Sequence, residues 1–354
     1  MSRFFSSKHA LLVPYTPGEQ PKGMTLTKLN TNESPFPPSP KAIQLSQQAA
    51  NDLYLYSDPE CRDLKAVASE YFGINEDQII FTNGSDDVLN FAFCAFCDES
   101  HPAVFPDITY GFYSVFADYN HVPYQTIPLK DDFTIDINDY IGINKNIFIA
   151  NPNAPTGIAL PLCDIEKIVE SNPDNIVVID EAYVDFGGES AIKLIDKYDN
   201  LIVTQTFSKS RSMAGARLGF AVGNADLIAD LNTIKYSTNP YNVNRMTMAA
   251  GIGALLDNDY FKANCKAICD NRQWTVNELE KLGFSVLDSK ANFVFAKSNK
   301  IGGKTLYLKL REKGILVRHF DTERLREFNR ITIGSKTQMQ TLINAIKSIL
   351  EELE

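Results

Sequence analysis

The sequence predicts an α/β fold: a large domain with a mostly parallel central sheet, and a smaller α+β domain at the C-terminus. Two patterns predict it. Short runs that are apolar on both faces alternate with helix-length segments as far as residue 223, which is typical of buried parallel strands. From about Asn244 the pattern changes to long helical segments and a few later strands. A length of 354 residues is sufficient for two domains.

Composition excludes several classes of protein. Hydrophobic residues make up 44% and charged residues 22%, as in an ordinary globular protein. The net charge of −10 argues against nucleic acid and anionic membranes as partners. No apolar run approaches the length of a membrane span, and the run 10–13 is too short for a signal peptide. We therefore expect a cytoplasmic protein.

The cysteines favour the same compartment. Six cysteines are too few for a disulfide scaffold in a chain of this length. Cys94 and Cys97 form one near pair, and Cys265 and Cys269 form another, but no histidine lies close to either. We interpret these four as small buried hydrophobic residues and expect no metal site.

The first part of the chain is rich in proline. Seven prolines between residues 14 and 40 (Pro14, Pro17, Pro21, Pro35, Pro37, Pro38 and Pro40) exclude a helix or a central strand there. We expect an N-terminal arm over residues 1–29, a large domain over 30–243 and a small domain over 244–354.

The first regular elements carry clear boundary signals. Helical spacing over 63–72 ends before Gly73, a predicted C-cap. The run 78–82 predicts a strand. Ser85 then follows as a predicted N-cap, with two aspartates in the first turn of the next helix.

Later strands and a closing helix complete the prediction. Strands of the large domain are predicted at 146–150, 176–180, 201–205 and 218–223. The smaller domain is predicted to hold strands at 291–297, 315–318 and 330–334, and a helix over 337–353.

Four polar segments stand at predicted strand ends or a helix start, where open α/β sheets bind ligands. They begin at Asn83, Asn151, Asp180 and Thr206. In the last of them, Lys209 is expected to be partly desolvated, and such an amine can form a Schiff base. A surface lysine in a loop is the alternative interpretation.

The neighbouring polar residues each allow two interpretations. Arg217, with the serines near Lys209, can clamp a phosphate, or it can pair with a surface carboxylate. Asp180 can bind a ring N–H, or it can cap the following turn. Tyr183 can donate to the same ligand or serve only for packing. The backbone at Gly84 and Ser85 can bind phosphate, or it can be an ordinary helix start.

The motifs together are very specific. In chain order they read NGSDD, FPDITYG, NPNAPTG, DEAYVDF, TFSKSRSMAGARLG and RITIG, between Asn83 and Gly334. This series resembles the fold-type I aminotransferases that use pyridoxal 5′-phosphate. VPYTPGEQP, LNTNESP, YSDPE and GILVRHF extend the resemblance to nearly the whole chain, and they are most similar to the branch that acts on histidinol phosphate.

The resemblance implies a role for each matching residue. Lys209 would hold the cofactor and move the proton, Asp180 would pair with the pyridine nitrogen, and Tyr183 would bind the ring hydroxyl. Tyr110 would stack on the ring. The cofactor phosphate would be bound by Gly84, Ser85, Asp86, Thr206, Ser208, Arg217 and, from the second subunit of a homodimer, Tyr56. The substrate would be bound by Tyr15, Asn32, Arg318 and Arg330.

The implied reaction is transfer of an amino group from a phosphorylated amino alcohol, L-histidinol phosphate, to the 2-oxo acid 2-oxoglutarate. An aromatic or broad-specificity aminotransferase, or a threonine-phosphate decarboxylase, is the alternative on the same scaffold. A cofactor-binding module without activity is disfavoured because no DNA-binding segment is present. A nicotinamide dehydrogenase is disfavoured because GIGALL, at Gly251, lacks the required third glycine.

One position departs from the family pattern. The family usually has asparagine directly before Pro-Thr-Gly, in contact with the ring hydroxyl, and this chain has Ala154. Asn153 or Asn151 can substitute for it, or Tyr183 can act alone. We therefore include Asn153 among the expected cofactor-binding residues.

Overall fold

The computed structural model describes residues 2–16, 18–20 and 26–353. Pro17, Pro21 and part of the expected arm therefore lie outside the described residues. The strands are β1 (Thr27–Lys28), β2 (Ile79–Thr82), β3 (Ala103–Pro106), β4 (Tyr124–Ile127), β5 (Asn146–Ala150), β6 (Val177–Asp180), β7 (Leu201–Thr206), β8 (Gly219–Gly223), β9 (Phe284–Val286), β10 (Phe293–Ser298), β11 (Ile315–Leu316), β12 (Arg318–His319) and β13 (Phe328–Thr332). The helices are α1 (Pro40–Ala49), α2 (Arg62–Phe72), α3 (Ser85–Phe96), α4 (Phe112–Asn120), α5 (Leu162–Glu170), α6 (Ala225–Thr238), α7 (Arg245–Leu256), α8 (Asn258–Lys281), α9 (Gly303–Glu312) and α10 (Lys336–Glu351).

A seven-stranded sheet forms the centre of the fold and confirms the α/β prediction. Its order is β2-β8-β7-β6-β5-β3-β4. β8 runs antiparallel to both of its neighbours, and the other six strands share one direction. The carboxyl ends of those six strands therefore meet at one edge of the sheet, where open α/β sheets bind ligands.

Helices cover both faces of this sheet. One face packs against α1, α2, α5 and α7 through side chains such as Leu64, Ile165 and Leu255. The other face packs against α3, α4 and α6, with Phe93 stacked on Phe148 at 4.1 Å. Because both faces are buried, the strands read as continuous apolar runs, which is the pattern that predicted them.

The second sheet is antiparallel, with the order β12-β13-β10-β9, and it packs on α8, α9 and α10. The prediction of a single strand at 315–318 is wrong, because the segment forms two strands. Its first half, β11, pairs with β1, and its second half, β12, pairs with β13. The chain passes from one sheet to the other at Val317. The expected division of the chain at residue 244 stays a prediction.

Two local predictions have different outcomes. The helix predicted at 63–72 is confirmed as α2, which ends at Gly73 with a φ of 71°. The prediction of Ser85 as N-cap is wrong, because α3 begins at Ser85 itself. Gly84 is the cap, with a φ of 83°, a conformation open to glycine and costly for other residues.

The cysteine interpretation is corrected at one position. Cys97 and Cys265 are buried and Cys269 is partly buried, whereas Cys94 is exposed because it lies on the solvent side of α3. Within the described ranges, no three metal-ligating side chains come together, and no helix is long and apolar enough to cross a membrane.

Candidate functional site

The residues after β2, β6 and β7 meet at one edge of the central sheet. A cavity of about 100 Å³ there is lined by Asp180, Tyr183, Ser208, Lys209 and Arg217, among others. A larger cavity of about 570 Å³ adjoins it and shares Tyr110, Ala154, Tyr183 and Lys209 with it. The polar segments that follow separate strands are thus brought into one site.

Asp180 lies at the tip of β6 and is buried. Its carboxylate accepts hydrogen bonds from the Tyr113 hydroxyl at 3.1 Å and from the Ala182 amide at 3.3 Å. Burial raises the pKa of Asp180 to about 7, and these hydrogen bonds oppose the shift only in part. A carboxylate in this setting is stabilised by a cationic or N–H partner supplied by a ligand.

Lys209 follows β7 and faces both cavities. Its Nζ donates to the Thr31 carbonyl at 3.3 Å and lies 5.8 Å from the centre of the Tyr183 ring. The Tyr183 hydroxyl accepts a hydrogen bond from Asn32 Nδ2 at 2.9 Å. Since that oxygen accepts from Asn32, its own proton points elsewhere, and the phenol can donate to a ligand.

Asn32 is held rigidly in a backbone conformation with a φ of 56°. The backbone N–H of Asn32 donates to Thr332 Oγ1, and its side-chain Oδ1 accepts from the same hydroxyl, both at 3.0 Å. Asn292 Nδ2 donates to its carbonyl oxygen, also at 3.0 Å. The orientation of the Tyr183 phenol is therefore fixed by residues of the second sheet and the segment before it.

The opposite end of the small cavity is built from hydroxyls and one guanidinium. Thr206 donates to Ser208 Oγ at 2.9 Å. Arg217 donates to Asp86 Oδ2 at 2.9 Å, and the Tyr110 hydroxyl donates to Asp86 Oδ1 at 2.7 Å. The start of α3 adds backbone N–H groups here, so this end can bind a phosphate.

Gly84 permits this arrangement. A Cβ atom at residue 84 would collide with the guanidinium of Arg217, and the φ of Gly84 is 83°. Only glycine therefore lets Arg217 lie against the start of α3.

The larger cavity combines three arginines, Arg318, Arg324 and Arg330, with aromatic side chains. Arg330 donates to the Asn30 carbonyl at 2.9 Å, while its Nε is buried without a partner among the described residues. Arg318 also lines this cavity. Tyr15 stacks on Phe112 with ring centres 4.3 Å apart. The arrangement suits a ligand with an anionic end and a flat ring.

Three expected residues line neither cavity: Gly84, which only lets Arg217 lie against the start of α3, Asn153 and Tyr56. Asn153 is buried in its own turn, where it donates to the Ile108 carbonyl and to Thr156 Oγ1 and accepts from Thr109. Because its amide is fully used there, Asn153 does not replace the missing asparagine, and Ala154 lines the cavity instead. Tyr56 is 81% exposed and lines neither cavity.

Tyr113 and Arg324 are among the polar residues of the site that sequence reasoning missed. Tyr113 donates to Asp180, but in the sequence it is one aromatic residue of an apolar helix. Arg324 lines the larger cavity, pairs with Asp107 at 3.4 Å and donates to the Lys130 carbonyl at 2.8 Å. Asp107 lies in the FPDITYG motif, which was the available signal for that contact.

Comparison with known proteins shows where this architecture occurs. Residues 25–346 match the family model described as aminotransferase class I and II. The chain is 51% identical over 353 residues to a histidinol-phosphate aminotransferase of Brachyspira hyodysenteriae, covering 99% of this chain and 100% of that protein. It is 44% identical to one of Clostridium botulinum over the full length of both. A crystal structure of histidinol-phosphate aminotransferase from Sinorhizobium meliloti in complex with pyridoxal-5′-phosphate has a TM-score of 0.90 at 25% identity, covering 100% of this chain and 99% of that chain.

Proposed function

The chain belongs to the aminotransferase class I and II family, and on that basis we propose that it is a pyridoxal 5′-phosphate-dependent histidinol-phosphate aminotransferase. It transfers the amino group of L-histidinol phosphate to 2-oxoglutarate, forming imidazole acetol phosphate and glutamate in histidine biosynthesis. The observation that carries this proposal is full-length similarity to relatives of that name, together with a site whose polar groups suit the cofactor.

The residues at the sheet edge fit the cofactor. The pKa of Asp180 is raised mainly because its carboxyl is buried, and the charge of Lys209 opposes this only in part; a protonated pyridine nitrogen would supply a cationic partner in direct contact. Lys209 would hold the cofactor covalently, and Tyr183 would donate to its ring hydroxyl. Ser85, Thr206, Ser208 and Arg217 would hold its phosphate. When bound, the cofactor supplies an electron sink for the carbanion formed at the substrate carbon.

The chain itself supplies proton transfer and binding. The Lys209 amine moves the proton at the carbon that bears the amino group. Arg318 and Arg330 bind the anionic end of either substrate, the phosphate of histidinol phosphate or a carboxylate of 2-oxoglutarate. Tyr15 and Tyr110 close the larger cavity with aromatic surface that suits an imidazole ring.

We further propose a cytoplasmic homodimer with shared sites. Tyr56, Tyr54 and Leu53 are exposed on one surface segment, which a second copy would cover. Tyr56 would then reach the cofactor phosphate of that copy. The six free cysteines suit a reducing compartment.

An assay of glutamate formation tests the reaction. With 2-oxoglutarate as acceptor, we expect kcat/KM for L-histidinol phosphate to exceed that for L-phenylalanine by about 100-fold, because only the former offers a phosphate to the two arginines. Comparable values would show a broad-specificity aminotransferase. Release of carbon dioxide from threonine phosphate without amino transfer would overturn the proposal.

A further inference from the structure

Lys235 is a buried lysine that the proposed reaction does not use. It lies on α6 and is 2% exposed. Its Nζ donates to the carbonyl of Pro59 at 2.6 Å. Within the described part of the chain, no carboxylate lies within ion-pair distance of it, and burial lowers its pKa. Burying an ammonium group costs free energy, and the hydrogen bond from Lys235 holds the Pro59 carbonyl in place.

The Pro59 carbonyl belongs to a segment that is anchored along its length to the residues after α6. The Tyr56 carbonyl accepts a hydrogen bond from Arg245 at 2.8 Å. Ser57 donates to the Val243 carbonyl, also at 2.8 Å. The ring of Tyr56 stacks on that of Tyr241, with centres 4.7 Å apart. The backbone of this segment is therefore fixed to a packed scaffold.

The hydroxyl group of Tyr56 is nevertheless exposed. Tyr56 is 81% exposed, and its hydroxyl has no hydrogen-bond partner among the described residues. Neither of the two site cavities of the same chain includes it. The backbone that carries the Tyr56 phenol is already ordered. The phenol can therefore bind another molecule with little further loss of conformational entropy.

We propose that Lys235 is a positioning residue for Tyr56. By holding the Pro59 carbonyl, its ammonium group keeps Tyr56 in the orientation in which the phenol contacts the cofactor phosphate of the second copy. This inference rests on the proposed function, because it requires the cofactor and the shared site. Lys235 is therefore expected to increase the affinity for the cofactor, and to do so only through the hydroxyl group of Tyr56.

A merely structural lysine would behave differently. If Lys235 only stabilised the packing of α6, its loss would lower the free energy of unfolding and would weaken cofactor binding equally whether residue 56 is Tyr or Phe. A double-mutant cycle separates the two roles because it measures the coupling between positions 235 and 56.

The experiment measures the dissociation constant of pyridoxal 5′-phosphate for the full-length dimer by absorbance titration. Lys235→Met keeps an unbranched side chain as far as the ε position and removes the donor. We expect Lys235→Met and Tyr56→Phe each to raise the dissociation constant about tenfold, and the double variant to equal Tyr56→Phe alone. Lys193→Met, at an exposed lysine that pairs with Glu189, is the matched control and should leave the constant unchanged.

Several outcomes overturn the inference. It is wrong if Lys235→Met leaves the dissociation constant unchanged, or if it weakens binding as strongly in the Tyr56→Phe background as in the wild type. An unchanged constant in Tyr56→Phe alone also overturns it. None of these results touches the proposed reaction, which the glutamate assay tests on the wild-type protein.

If Lys235→Met does not fold, Lys235→Gln replaces it in the same cycle, because its shorter side chain stays polar and no longer reaches the Pro59 carbonyl. A further variant tests the second support of Tyr56. Tyr241→Leu removes the ring that supports Tyr56 at a position 43% exposed, where the core is not disturbed. We expect it to weaken cofactor binding in the wild type and to have no further effect in the Tyr56→Phe background. Additive effects of these two substitutions would contradict the proposal.

Discussion

Among single residues, Asp180 carries a buried charge that destabilises the folded protein and that a bound ligand would stabilise. Burial raises the pKa of this carboxyl to about 7 in the protein without cofactor. Between about pH 4 and pH 7 the folded state therefore holds a proton that the unfolded state has lost. The contribution of Asp180 to the free energy of unfolding consequently falls as the pH rises through this interval. Above about pH 7 the buried charge destabilises the folded protein by a constant amount.

Asp180→Asn removes the buried charge, keeps an acceptor oxygen for the Ala182 amide, and places an NH2 group that can donate to the Tyr113 hydroxyl oxygen. We expect the cofactor-free variant to be more stable than the wild type at pH 8 by about 2–4 kcal/mol, and the difference to vanish near pH 4. Urea unfolding at both pH values measures it. Glu181 also has a pKa raised to about 7 by burial, but its contribution cancels in the comparison. A variant less stable than the wild type at pH 8 would contradict the assignment.

Ala154 tests whether Tyr183 acts alone at the ring hydroxyl. Ala154 lines both cavities beside Tyr183, whose phenol is oriented by Asn32. We expect Ala154→Asn to add a donor and to tighten binding of pyridoxal 5′-phosphate by about three- to tenfold, since one such hydrogen bond contributes about 1 kcal/mol. Absorbance titration measures the constant. Weaker binding would show that the position has no room for an amide.

At the scale of elements, the site depends on how closely β8 lies against the start of α3. A Cβ atom at Gly219 would overlap the backbone of Gly84 and Ser85. We expect Gly219→Ala to lower the free energy of unfolding by about 1–3 kcal/mol and to weaken cofactor binding, because α3 must shift away from Arg217.

Gly215→Ala is the matched control for this substitution. An added Cβ atom at Gly215 meets nothing within 4 Å, and its φ is not positive. Thermal unfolding and cofactor titration of both variants should therefore separate them. Equal behaviour of the two variants would show that the approach of β8 to α3 does not matter for the site.

The same elements show what sequence patterns can and cannot predict. Apolar runs such as 146–150 predicted central strands because both of their faces are buried. The break at Val317 escaped prediction because the pairing of β11 with β1 depends on residues nearly 300 positions away. Tyr113 escaped because a buried tyrosine that packs and one that donates to a carboxylate look the same in a sequence. The site residues were predictable mainly where they follow strand ends.

For the whole molecule, the proposed sharing of the site between two subunits predicts the activity of mixed dimers. At a cofactor concentration well below the dissociation constant of Tyr56→Ala, the Lys209→Ala and Tyr56→Ala subunits would each be nearly inactive as homodimers. After denaturation and refolding together, a mixed dimer holds one site with Lys209 and the intact Tyr56 of the other subunit. We expect about a quarter of wild-type activity in an equal mixture. Activity equal to the average of the two homodimers would show that Tyr56 serves its own subunit or no site.

A visible absorption spectrum of the purified protein, recorded before and after addition of L-histidinol phosphate, decides whether this chain is the aminotransferase we propose. Protein incubated with pyridoxal 5′-phosphate should be yellow, and its band should shift to that of the aminated cofactor when L-histidinol phosphate is added. Lys209→Ala should lack the band of the lysine-bound cofactor. A colourless wild-type protein, or a band that responds to other amino donors and not to L-histidinol phosphate, would contradict the proposal.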